Sequence, residues 1–127
     1  MGEGGISSYR DLKVWQDAMT LTETCYCLTR EFPRDELFGL TSQIRRAATS
    51  VAANIAEGHG CEHTGSFIQG LRIAQGSLKE LETHLLVSQR VGIVPEEEIS
   101  TPLKLSSDIG KMLRSLIRAL QAKGQGE

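Results

Sequence analysis

The chain has 127 residues, 39% of them hydrophobic and 24% charged, with a formal net charge of −2. That length suits one domain able to bury roughly two thirds of its unfolded surface, and the charge balance argues against a general polyanion binder, whose site shows as a clear cationic excess, so that any basic site must be local. Three cysteines without framework spacing, Cys25, Cys27 and Cys61, exclude a disulfide scaffold and read as unpaired thiols in a reducing cytosol.

Residues 1–8 and 123–127 read as flexible tails around a helical unit over 9–122. The first eight residues carry neither the basic nor the apolar region of a secretory signal. No apolar run approaches the roughly 20 residues of a membrane span, so the expected location is cytoplasmic, without a membrane partner.

The first helix is predicted from Val14, Ala18, Leu21, Cys25, Leu28 and Phe32, which recur at a 4,3,4,3,4 spacing and form one stripe. Leu12, Trp15, Met19 and Tyr26 form a second stripe, so this helix is expected to touch two neighbours. Asp11 is the candidate N-cap and Pro33 the stop. The second helix is predicted over 35–57, with Leu37, Leu40, Ile44, Ala47 or Ala48, Val51 and Ile55 inward and Gly58 at its C′ position. Its alanine run, Ala47, Ala48, Ala52, Ala53 and Ala56, joins high helix propensity to low bulk, which lets a partner helix approach.

A third helix follows from Phe67, Leu71, Ala74, Leu78, Leu81 and Leu85, with Ser66 and Gln69 as a capping box. Gly70 and Gly76 lie inside it, and Gly76 is expected to face the small residues of the second helix closely. After Gly92, Pro95 and the run Glu96, Glu97, Glu98 open a fourth segment, as fixed φ and the helix dipole favour. Pro102 implies either a short helical piece before the main helix or one kinked helix. Leu105, Ile109, Met112, Leu116 and Ala119 then resume the period, widened by Leu113, Ile117 and Leu120. Short connections join antiparallel neighbours, so the simplest architecture is an all-α, up-down-up-down four-helix bundle.

Chemistry-bearing groups are sparse. His59, Cys61 and His63 alternate within five residues and fit zinc spacing poorly, so the segment reads as a solvated loop with no metal. No Glu-x-x-His pair of a di-iron bundle occurs; Glu80 and His84 are spaced for a local pair. No nucleophile has a recognisable base and no phosphate-binding glycine loop is present, so the reading is non-enzymatic and without a cofactor. The candidate functional surface is basic: Lys104, Lys111, Arg114 and Arg118 share a face of the last helix, with no acid after Asp108 until Glu127, and Arg45 and Arg46 form a second small cluster. Asn54, Glu57, Glu80 and Glu82 serve either register-fixing interhelical bonds or recognition of a partner subunit.

Leu12 to Gln16, Gln43 to Arg46 with Ser50, Asn54-Ile-Ala-Glu-Gly58, and Ala74-Gln-Gly-Ser-Leu-Lys-Glu-Leu-Glu-Thr83 together resemble the four-helix-bundle family encoded in intervening sequences of bacterial large-subunit rRNA genes, the S23-type proteins. The resemblance spans about Tyr9 to Leu120. It implies an antiparallel bundle assembling into a ring-like homopentamer, and a likeness to the accessory variability protein of diversity-generating retroelements, a basic barrel that binds nucleic acid and its reverse transcriptase. This chain differs in being slightly acidic and in carrying Cys61 where the family commonly has Arg. The reading is a homo-oligomeric scaffold or adaptor for RNA or a ribonucleoprotein; the alternative is a protein-only interaction module, such as an accessory subunit of a polymerase.

Overall fold

The computed structural model describes residues 8–126. Four helices run over Lys13–Thr29 (α1), Leu40–Gly60 (α2), Thr64–Arg90 (α3) and Glu96–Gly126 (α4), with 3-10 turns at Tyr9–Asp11 and Arg34–Glu36 and no strand among the described residues. Each helix packs on its neighbours in sequence and α4 returns to α1, whereas the backbones of α1 and α3, and of α2 and α4, make no close approach. The result is a four-helix bundle around Leu21, Ile44, Ile55, Leu71, Leu81, Leu85, Ile109 and Leu113, all fully enclosed. Cys25 lies in this core, where burial pushes its thiol from the usual 9.0 up to about 12. Among the described residues no helix is long and apolar enough to cross a membrane.

The helix ends differ from expectation for local reasons. Asp11 sits in the first 3-10 turn, which Ser8 caps by accepting from the Arg10 amide at 3.1 Å, and α1 begins two residues later. Residues 34–39 leave the helical path, and the Glu36 carboxylate accepts the Leu40 amide at 3.1 Å, supplying the α2 cap from the preceding turn. Gly58 is not a C′ residue; α2 continues past it, and the left-handed position falls on Glu62, at φ 56°. Nor do Ser66 and Gln69 cap α3, which already starts at Thr64. Its C-terminus closes in a Schellman motif: the Ile93 amide donates to Ser88 O at 2.9 Å and the Gly92 amide to Gln89 O at 3.1 Å, with Gly92 at φ 84°.

The close approach of α2 and α3 lies at Gly58 and Gly70, not at Gly76. A Cβ added to Gly70 would stand 2.6 Å from Asn54 O and 3.0 Å from Gly58 Cα, while one added to Gly76 would meet nothing within 4 Å. Helix α4 is continuous through Pro102, whose ring is buried. Its inward seam is Ile99, Pro102, Ser106, Ile109, Leu113 and Ile117; Met112 and Leu116 sit at its edge and Ala119 is exposed. On α1 the second predicted stripe is only partly used, with Met19 and Tyr26 exposed. Helix α4 extends into the tail assigned to 123–127; residues 1–7 and Glu127, which complete the two expected tails, lie outside the described residues.

Candidate nucleic-acid interface

The basic residues fall into two separate places. Arg45 is turned inward along α1: its guanidinium lies 4.5 Å from the Tyr26 ring centroid, and its Nε donates to Thr29 Oγ1 at 2.9 Å. It therefore acts first as a clamp between α1 and α2. Arg46 is exposed and lines a groove with Tyr26, Leu37 and Phe38. Because the backbones of α2 and α4 make no close approach, this cluster is not brought together with the α4 stripe.

On α4, Lys104, Lys111, Arg114 and Arg118 are all exposed. Lys104 is partly neutralised by Asp108 at 3.1 Å, an exposed pair worth about 0.3–0.5 kcal/mol. Arg114 has a setting the sequence reading did not anticipate. It lines a cleft of about 620 Å³ between α3 and α4, together with Arg72 and Lys79 of α3. Gly76 and Gly110 form opposite parts of its wall, and Leu78 and Leu103 supply its apolar lining. Its one carboxylate, Glu82, accepts from Ser106 Oγ at 2.5 Å and pairs with Lys79 at 3.3 Å. Among the described residues, Arg72 and Arg114 have no carboxylate partner.

Arg72 and Lys79 of α3 are absent from the basic clusters expected on α2 and α4, yet the sequence carries a signal for them. No acid occurs over residues 63–79 or 109–126, and these stretches carry Arg72, Lys79, Lys111, Arg114, Arg118 and Lys123. A molecule of net charge −2 thus concentrates cations on α3 and α4, and Arg72, Lys79 and Arg114 meet at one cleft, where a local positive potential can form despite the overall sign.

The four polar candidates divide. Glu82 crosses from α3 to α4 through Ser106. Asn54 Nδ2 donates to Ser50 O at 2.8 Å and Ser50 Oγ at 3.0 Å, and Ser50 Oγ shares a 2.9 Å hydrogen bond with Ser77 Oγ of α3. Glu80 stays within α3, 3.4 Å from His84, and exposed Glu57 makes no ion pair among the described residues. In the α2–α3 connection His59 packs edge-on against Phe67 at 5.3 Å while Cys61 and His63 are exposed. Among the described residues no three metal-donor side chains converge.

Residues 10–115 match the family model described as 23S rRNA-intervening sequence protein. The fold is similar, at a TM-score of 0.73 and 26% identity over 82% of this chain and 97% of the other, to a crystal structure of a protein with unknown function from the S23 ribosomal protein family of Bacteroides thetaiotaomicron. No curated protein matches the chain.

Proposed function

Because the chain belongs to the 23S rRNA-intervening sequence protein family, we propose that it is a non-enzymatic, homo-oligomeric bundle scaffold of the cytoplasm that binds structured RNA through its α3–α4 face. The observation that carries the RNA reading is the cluster of Arg72, Lys79 and Arg114 around one α3–α4 cleft, with Lys111 and Arg118 also exposed on α4. Phosphate contacts supply sequence-independent affinity, and several weak contacts multiply when copies of the face are joined in one assembly. The family is named for intervening sequences of 23S rRNA, which makes structured RNA the first polyanion to test. In favour of a scaffold over a catalyst, Glu82, the cleft's one carboxylate, is held by Ser106 and Lys79 as a hydrogen-bond acceptor.

The protomer is proposed to be antiparallel. Thr22 meets Ala48 and Thr29 meets Arg45; Ser50 meets Ser77 and Gly58 meets Gly70, so later residues on one helix pair with earlier ones on the next. Oligomerisation is supported by large apolar side chains that one bundle leaves uncovered: Phe38 is 92% exposed and Val91 61%, with Ile73 and Val87 spaced along α3 toward Val91. The subunit number, five in a ring, follows the S23-type resemblance. Phe38 and Leu37 beside Tyr26 also favour the rival reading, a protein-only interaction module. Filter binding of structured RNA against salt separates the two. The scaffold requires affinity that falls steeply with salt and is lost in the triple variant Lys111→Ala, Arg114→Ala, Arg118→Ala; undetectable binding at low salt leaves the protein-only module.

A further inference from the structure

We infer that the α3–α4 cleft seats one unpaired guanine nucleotide of the bound RNA, an inference that rests on the RNA reading above. The opening is built into the helices. A seam between packed helices ordinarily fills with side chains, but here Gly76 and Gly110 withdraw from the wall, and nothing stands within 4 Å of a Cβ placed on Gly76. Interior glycine is an unfavourable helix former, and no close helix contact requires it at this position.

The lining combines three chemistries that nucleotide recognition uses. Leu103, backed by the buried Leu78, offers apolar surface for the flat body of a base. Arg72 and Arg114 carry guanidinium groups free of carboxylates among the described residues, able to hold a phosphate or lie against the base plane. Glu82, with its side chain 21% exposed, presents a carboxylate oriented by Ser106 and Lys79. Each of its oxygens has one bond from these partners and retains a lone pair, so the group asks for two parallel donors. The guanine edge supplies two adjacent N–H groups, whereas adenine, cytosine and uracil each place an acceptor next to their donor. A base paired within an A-form helix cannot present that edge, but a bulged or loop nucleotide can.

The test uses the full chain and two fluorescein-labelled RNA hairpins of one stem sequence, one fully paired and one with a single bulged guanine, plus bulged-adenine and bulged-uracil controls. Anisotropy at about 0.1 M salt is expected to give the guanine bulge about tenfold tighter binding than the others, the scale of one bidentate base contact. Gly76→Leu, which fills the cleft from a position with free space, is expected to abolish that advantage while leaving affinity for the paired hairpin intact and without lowering the melting temperature. Glu82→Gln removes one acceptor and is expected to level guanine with adenine. Equal binding of all hairpins by the native chain overturns the inference and spares the RNA reading. A guanine advantage that survives Gly76→Leu also overturns it, and failure of every hairpin to bind overturns both.

Discussion

Gly70 and Gly76, six residues apart on α3, should respond oppositely to the same added methyl group. Gly70→Ala forces a Cβ against backbone atoms of α2 that cannot rotate away, and is expected to cost on the order of 1–3 kcal/mol in urea denaturation. Gly76→Ala places its methyl in open space and is expected to gain about 0.8–1 kcal/mol. The sequence exposes both as costly helix glycines, but which one touches α2 depends on rotation about the helix axis, and that is fixed by the whole packed face. Cys25 gives a residue-scale prediction of its own. Its thiol ionises near 12 when folded and near 9.0 when unfolded, so its contribution to stability is intact below pH 9 and lost as pH rises toward 12. Stability curves of native chain and Cys25→Ala should diverge in slope across that window. Parallel slopes would mean that the thiol ionises alike in both states.

At the scale of elements, α2 and α3 are locked in register by steric contact at Gly58 and Gly70 and by the hydroxyl pair Ser50 and Ser77, relayed to Asn54. A double-mutant cycle with Ser50→Ala and Ser77→Ala is expected to show a coupling of about 0.5–1.5 kcal/mol in chemical denaturation; additive losses would mean that the hydroxyls act separately. Helix number and most of the inward faces of α1 to α3 were legible because apolar residues at helical period leave little choice of face, although Leu37, expected inward on α2, is exposed because the chain leaves the helical path before Leu40. Ends were less so. The α2 cap comes from Glu36 in a turn that resembles helix in sequence, and α2 passes through Gly58 because that glycine serves the packing with α3. The α4 seam was misjudged by a small rotation, since buried Pro102 and Ser106 occupy it and neither counts as apolar-periodic in a pattern search.

Across the whole molecule, the decisive feature is the separation of charge rather than its sum. The α4 half of the candidate interface could be read from spacing alone, because Lys111, Arg114 and Arg118 follow one helix face. The α3 half could not, since Arg72 and Lys79 join it only once α3 is known to lie beside α4. Arg45, equally basic in the sequence, is instead occupied by Tyr26 and Thr29, and Arg45→Ala is expected to lower thermal stability more than it lowers RNA affinity. The most direct measurement is light scattering on the size-exclusion peak, at low and high salt, with and without structured RNA. The account predicts a stable oligomer that gains the mass of RNA at low salt, releases it at high salt, and fails to gain it when Lys111, Arg114 and Arg118 are all replaced by Ala. A monomer, or an oligomer whose mass is unchanged by RNA at every salt concentration, would contradict it.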